Sequence, residues 1–373
     1  MMTVPTQPTD PLLVVVDAPP LTGIGVYADS LVRLMKPVLP QIRLVSLHPS
    51  STGIALSHGI PGLRSTKDSL AIPWTKRQNR GALKRFLIRN KANLHLAGAD
   101  YSLVESGTAV ICTVHDFFFR VPSRDSAIVP RELATEALIN FNFLKMTRQL
   151  RQAAGIVCPS HLVEQDLDRR VGLRSQVIHH WIDADRFHPR PTEESRRAVG
   201  VPTSGRFLLN VGGPGPNKNL KTLTRIAQSL PPGWKLIKVG HPIASGNSFN
   251  VGRVSPAIYP KFYNAADAYL HTSVAEGFGI PLIESMGSAT PVILPRGSTG
   301  PELLGDAGIY IGDPEAVSDF VAAIVSLEDE TVRSEAAARS LARSVEFAPE
   351  KARQAYQRFY ENTLGLSPNV GEV

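Results

Sequence analysis

The chain has 373 residues, 43% hydrophobic and 20% charged, which is too long for one ordinary domain and suits a soluble globular protein of two. No apolar run approaches the ~20 residues that a bilayer-spanning helix needs, and the polar, proline-rich start lacks the basic n-region and apolar core of a secretory signal. The formal net charge is +7, which points to an anionic partner and leaves its kind open.

Short apolar runs alternate with longer amphipathic ones, the pattern of two α/β layers built on parallel sheets. Residues 1–10 read as a disordered N-terminus. Leu12–Val16 reads as a buried first strand, followed by Thr22-Gly23-Ile24-Gly25 and a helix carrying Leu31, Leu34 and Met35. A helical projection then puts Leu83, Phe86, Leu87 and Leu94 on one face, with Lys76, Arg77, Arg80, Lys84, Arg85, Arg89 and Lys91 around the rest. Strand ends follow at Val110–Val114, Ile156–Cys158 and Val177-Ile178. Residues 11–190 thus form a first domain, and a polar stretch rich in Pro, Glu and Arg, 191–205, reads as a linker. The second domain, 206–348, carries strands at Phe207–Val211, Leu236–Val239, Ala268–Leu270, Pro291–Leu294 and Ile309–Ile311. A terminal helix, 349–365, bears Tyr356, Phe359 and Tyr360, and 366–373 is a tail. Cys112 and Cys158 lie in apolar runs and read as core residues, not a disulfide or a metal site. A reducing, cytoplasmic setting is therefore the default.

Open parallel sheets bind ligands beyond the C-terminal ends of their strands, so the loops there hold the candidates. Glu276-Gly277-Phe278-Gly279-Ile280-Pro281-Leu282-Ile283-Glu284 puts one carboxylate before a glycine-hinged loop and a second inside the helix that follows. Gly277 and Gly279 permit close ligand approach, and Pro281 suits the first helical position. The helix start favours an anion such as a phosphate, while a carboxylate on either side can accept from sugar and ribose hydroxyls. The same residues read equally as a buried strand–loop–helix corner. Gly23 and Gly25 read as a diphosphate-admitting loop or as a tight turn. His115-Asp116 closes a strand, where the histidine is either a structural hydrogen-bonder or a catalytic group and the aspartate a turn cap. Gly212-Gly213 opens a flexible loop that leads to Lys218, whose charge can offset a departing nucleoside diphosphate. Asp183-Ala184-Asp185 spells D-x-D, but no further His, Cys or carboxylate falls at metal-ligand spacing around it.

Glu276 to Glu284 resembles the E-x7-E signature of the retaining glycosyltransferases of family 4, which have the GT-B fold. The similarity extends through Ala266-Asp267-Ala268, Ser273, Ser285-Met286-Gly287, Pro291-Val292-Ile293 and Pro301-Glu302-Leu303-Leu304-Gly305-Asp306-Ala307, and it covers roughly residues 12–362. It implies two Rossmann-like, doubly wound domains facing across a cleft, with the terminal helix crossing back to the first. It also implies metal-independent transfer of a hexose from a nucleotide sugar with retention of configuration. Carried over by residue, Glu276 meets the hexose hydroxyls and Glu284 the ribose. Gly279 and Ile280 hold the diphosphate by backbone N–H, Lys218 holds it by charge, and His115 sits beside the hexose. Asp116 orients that sugar or meets the acceptor, and Gly23, Gly25, Gly212, Gly213, Gly277 and Phe278 complete the donor site. Val26 stands where many members carry a basic residue, and Gly213 and Asn217 stand where they carry the diphosphate arginine. The resemblance makes D-x-D part of a structural segment before the linker. Its His-Asp and Lys-Asn variants lean toward mannosyltransferases, so GDP-mannose is favoured over a UDP-hexose.

Residues 76–91 read either as a solvated charged face or as a docking surface for an anionic membrane, where each cation is worth about 1 kcal/mol. The second suits a lipid-linked acceptor and a peripheral location; a glycan acceptor fits as well. No helix-turn-helix, zinc or RNP-type motif accompanies the charge, which argues against nucleic acid. Two other classes stay open: a catalytically weak or inactive nucleotide-sugar-binding or scaffold protein on the same fold, and a basic protein whose charge is its purpose.

Overall fold

A computed structural model describes residues 11–18, 22–47, 72–90, 92–98, 101–104, 108–116 and 133–366. The expectations for residues 1–10 and for the tail from 367 onward lie outside the described residues, as do Lys91 and the side chains of Lys76 and Arg77. The chain divides into two units. One runs to His179 and resumes at Glu350, and the other spans His180–Pro349.

The first unit starts with β1 (Leu12–Val16), α1 (Gly23–Met35), β2 (Arg43–Ser46), α2 (Ile72–Asn90), β3 (Asn93–Leu96) and β4 (Val110–Thr113). It continues with α3 (Leu133–Leu150), β5 (Gly155–Cys158), α4 (His161–Val171) and β6 (Gln176–Val177). All six strands pair in parallel, in the order β2-β1-β3-β4-β5-β6. Every residue of β1 is buried, which is why it is a continuous apolar run without alternation. Thr22 caps α1 by accepting from the Gly25 N–H at 3.3 Å, the usual service of a threonine at that position. Gly23 and Gly25 therefore lie inside the first turn of a helix and not in an open loop. Leu83 and Leu87 of α2 are buried and Phe86 packs against the same core. Leu94 does not belong to that helical face; it sits in β3, paired with Leu13 and Val110. Arg80 of the basic run bonds Asp17 at 3.2 Å, while Arg85 and Arg89 are exposed.

The second unit opens with α5 (Thr192–Val199), β7 (Arg206–Gly212), α6 (Leu220–Gln228), β8 (Trp234–Gly240), β9 (Ser248–Gly252), α7 (Lys261–Ala265) and β10 (Ala268–Leu270). It closes with α8 (Ile280–Gly287), β11 (Val292–Pro295), α9 (Gly300–Leu304), β12 (Gly308–Ile311), α10 (Val317–Ser326) and α11 (Glu330–Ser344). These strands too are all parallel, in the order β12-β11-β10-β7-β8-β9. Numbered within the unit this is 3-2-1-4-5-6, with its reversal point between β7 and β10.

Residues 191–205, expected as a linker, are part of this unit. Arg196 of α5 is buried and bonds Asp267 at 2.8 Å, with Ala265 O at 3.0 Å and Thr203 O at 2.9 Å. Asp267 also accepts from the Phe207 N–H at 2.8 Å. A buried ion pair of this kind is held by its surrounding hydrogen bonds, and removing one partner strands the other charge. Composition alone reads Arg and Glu as solvated; here one arginine is the anchor.

α12 (Pro349–Leu364) returns to the first unit. Tyr356 bonds the Tyr27 hydroxyl at 2.7 Å, and Tyr360 bonds His95 Nδ1 at 2.6 Å. His95 Nε2 and Tyr27 both reach the Thr113 hydroxyl, at 2.6 and 3.0 Å. A closed chain of buried donors and acceptors thus joins α12 to β3, β4 and α1, and a satisfied network fixes one docking register. Both cysteines are buried and unbridged. Among the described residues no helix is long and apolar enough to cross a membrane.

Candidate functional site

The reversal point of the second sheet brings together two loops, one after β7 and one after β10. After Gly212 the chain passes through a single 3-10 turn, Pro216–Lys218, and Asn219 takes a left-handed conformation (φ 49°) where α6 begins. Three contacts fix this segment. Asn217 donates to Ala275 O at 2.8 Å and its own carbonyl accepts from the Val274 N–H at 2.9 Å, while Thr272 donates to Lys218 O at 2.9 Å. Asn217 is therefore a clip between the two loops.

The clip places Lys218 Nζ 2.6 Å from Glu276 Oε1. Their side chains are 29% and 11% exposed, so the pair is shielded on most sides and open on one. His271, at the end of β10, lies 3.9 Å from the same oxygen. Burial first, against the opposing pull of Glu276, brings its pKa down to about 4, so it is neutral at physiological pH. Ser298 holds Glu276 from behind: its Oγ accepts from the Glu276 N–H at 2.6 Å and donates to the Glu276 carbonyl at 3.4 Å. Ser298 does so from a left-handed backbone, φ 56°, and strain in a non-glycine residue persists only where neighbours over-determine it.

Gly279 precedes α8 with φ 102°, and a Cβ there would lie 2.8 Å from Leu282 Cδ1, so only glycine fits. Pro281 occupies the second helical position, after Ile280. Among the described residues the N–H groups of Gly279 and Ile280 meet no acceptor, as expected of a helix start that can receive an anion. Gly277 is buried. Phe278 does not offer its ring to a ligand: it is buried against His180 and Phe347, at centroid distances of 4.8 and 6.0 Å.

Glu284 is already engaged through one oxygen. Oε2 accepts from the hydroxyls of Tyr259 at 2.7 Å and Tyr263 at 2.6 Å, and Oε1 takes no hydrogen bond among the described residues. Burial raises its pKa, and the two hydroxyls work against that rise. Neither tyrosine is visible as a site residue in the sequence: Tyr259 lies in the turn before α7 and Tyr263 inside that helix. His271 and Ser298 were equally unmarked.

The remaining candidates belong to the first unit. His115 donates from Nε2 to Ala97 O at 3.0 Å, which selects that tautomer, and its ring meets Tyr27 edge-on at 4.9 Å. Burial lowers its pKa to about 4 against the raising effect of that carbonyl, so it too is a neutral imidazole. Asp116 is half-buried beside it, and Gly25 is buried in α1 while Gly23 is not. Gly212 is half-buried and Gly213 exposed. Asp183 of the D-x-D run serves a turn, its carbonyl accepting from the Arg186 and Phe187 N–H groups.

Residues 191–345 match the family described as Glycosyl transferases group 1. O-antigen chain mannosyltransferase B of Escherichia coli is 31% identical over 163 residues, 38% of this chain and 42% of that protein. A D-inositol 3-phosphate glycosyltransferase of Corynebacterium urealyticum is 26% identical over 189 residues, 43% and 45% of the two chains. The chain thus matches these curated relatives over less than half their length. Among solved structures, sucrose-phosphate synthase from Thermosynechococcus elongatus superposes with TM-score 0.75 at 16% identity, covering 96% of this chain and 100% of that one. WaaG, a glycosyltransferase involved in lipopolysaccharide biosynthesis, gives 0.68 at 15% identity, covering 92% and 98%. At such identities the likeness shows the fold, which is GT-B: two parallel six-stranded sheets with helices.

Proposed function

Because this chain carries a glycosyl transferases group 1 domain on a GT-B fold, we propose that it is a retaining hexosyltransferase using a nucleotide diphosphate sugar, with GDP-mannose as the favoured donor. The observation that carries the proposal is the Lys218–Glu276 pair, 2.6 Å apart at the reversal point of the second sheet. On donor arrival Lys218 passes from Glu276 to the diphosphate, and Glu276 turns to the hydroxyls of the hexose. Gly279 and Ile280 offer backbone N–H groups to the same diphosphate, and Glu284 Oε1 accepts from the ribose while its two tyrosines keep the carboxylate aimed. Positioning and stabilisation of the leaving group supply the catalysis, without a metal. His115 and Asp116 are assigned to the same reaction. The acceptor is a glycan or a lipid-linked saccharide, and the exposed Arg85 and Arg89 of α2 favour an anionic membrane surface on the cytoplasmic side.

A thermal-shift titration against GDP, UDP, ADP and their sugar conjugates tests this. Ligand at a hundredfold excess over its dissociation constant stabilises the native state by about 2.7 kcal/mol. A rise with one nucleotide series, lost in Lys218→Met, is expected. No rise with any nucleotide refutes the donor site. A rise without turnover of any sugar conjugate favours a nucleotide-sugar-binding protein that has lost catalysis.

A further inference from the structure

β8 lies inside the second sheet, between β7 and β9, where both faces of a strand are covered. Its Leu236, Ile237 and Val239 are buried as that position demands, and so is Lys238, with no exposed surface. Its ammonium donates to Gly212 O at 2.9 Å and to Val239 O at 3.0 Å. An ammonium has a third N–H, and among the described residues this one meets no acceptor and no carboxylate. Burial first, and the positive charge of Lys218 second, bring its pKa down to about 8. A buried, unpaired cation is costly and is kept only where something compensates it.

The compensation lies at Gly212. A Cβ there would lie 3.9 Å from Lys218 Cδ, so the two lysines flank one residue. Gly240, with φ 99°, brings the end of β8 so close that a Cβ on it would stand 2.4 Å from Gly212 O. The same carbonyl accepts from the His241 N–H at 3.0 Å. Because the peptide is planar and trans, fixing the Gly212 carbonyl toward Lys238 turns the Gly213 N–H to the opposite side, and Gly213 is exposed.

We propose that Lys238 is a positioning residue of the donor's diphosphate site. From beneath the loop it supplies the second positive charge and holds the Gly212–Gly213 peptide with its N–H facing the phosphates. Lys218 brings one positive charge to a diphosphate that carries two negative ones in a sugar conjugate, so the charges balance only if Lys238 contributes. The inference rests on the loop's assignment to a nucleotide diphosphate.

Calorimetric titration of the full chain with GDP, UDP and the matching monophosphates, in wild type and in Lys238→Met, tests it. The variant keeps the side chain's length and removes its charge. Diphosphate affinity is expected to fall about tenfold more than monophosphate affinity, with a shallower dependence on salt. Equal losses for both ligands overturn the role of Lys238 and leave the donor site standing. A wild type that binds neither diphosphate overturns both. If Lys238→Met does not fold, the Lys238 side chain is followed by nitrogen NMR in wild type. Lys218 is the charged group acting on it among the described residues, so an added diphosphate should raise its titration midpoint, and an unmoved midpoint refutes the proposal.

Discussion

Ser298 offers a test in which two small substitutions rank against their usual order. Its left-handed backbone, φ 56°, costs a residue with a Cβ about 1–2 kcal/mol. Its hydroxyl returns about 1 kcal/mol through the bond to the Glu276 N–H and spares that donor an unsatisfied state worth a further 1–3 kcal/mol. Ser298→Ala keeps the strain and loses the bond, so a loss of about 2 kcal/mol is expected. Ser298→Gly loses the same bond but sheds the strain, which leaves it about 1 kcal/mol more stable than the alanine variant. At ordinary sites glycine is the worse of the two. In a domain of this size that difference separates the two melting temperatures by about 2–4 °C, well within the reach of thermal or urea unfolding. Both variants should also lose donor turnover alike, because both leave Glu276 without its clamp. Ser298→Ala melting at or above Ser298→Gly would show that the backbone relaxes without the hydroxyl, and the account of Glu276's positioning would fall with it.

Two further expectations concern pH. Burial raises the folded pKa of Glu284 above its ordinary value of 4.5 while two tyrosine hydroxyls oppose the rise. The native state therefore binds more protons than the unfolded one above that value, and stability falls as pH climbs through the window. Tyr263→Phe removes a bond to the charged form, so it should cost about 1.5–3 kcal/mol at neutral pH and less below 4.5; a deficit that stays constant across that range in urea unfolding contradicts a carboxylate there. Three histidines work in the opposite direction. His95, pushed down to about 3 by burial, and His115 and His271, at about 4, are depressed in the folded state. Their contribution is complete above 6.5 and is lost as pH falls toward those values, at most roughly 3 kcal/mol for each of the latter two. Melting temperature should drop steeply between pH 6.5 and 4, and a flat profile refutes their burial as neutral rings.

Where burial makes a strand uniformly apolar, the elements were legible. Leu12–Val16 is one case, and the runs that became β4, β5, β10 and β11 are others, while β7 and β12 show as apolar runs although they are only partly buried. β3 was not, because Asn93 and His95 interrupt its apolar pattern; both are buried, and His95 spends its two nitrogens on Tyr360 and Thr113. Leu94 thus falls on the projected face of the preceding helix, since spacing alone does not reveal that the helix ends at Asn90. β9, Ser248–Gly252, is an edge strand with no fully buried residue, so it leaves no apolar run to find. The supposed linker failed for a related reason: charged composition indicates solvation only when the charge lacks a buried partner, and Arg196 has Asp267.

The site divides along the same physical line. Glu276, Lys218, Gly279 and Glu284 stand out as candidates through the resemblance of their motifs, since the residues alone read equally as a buried corner, and the fold sets Lys218 2.6 Å from Glu276. Tyr259, Tyr263, His271 and Ser298 do not, because they act by contact across loops that sequence separation hides; Tyr263 lies 21 residues from the carboxylate it bonds. Lys238 falls between these cases. It stands in Leu236-Ile237-Lys238-Val239, a run that reads as a buried strand in spite of it. A strand covered on both faces excludes an uncompensated ammonium. Such a lysine therefore requires an acceptor at the strand's C-terminal end, where parallel sheets hold their ligands. Lys238 finds such acceptors in the Gly212 and Val239 carbonyls, a mismatch between charge and setting that the strand assignment, correct in itself, conceals.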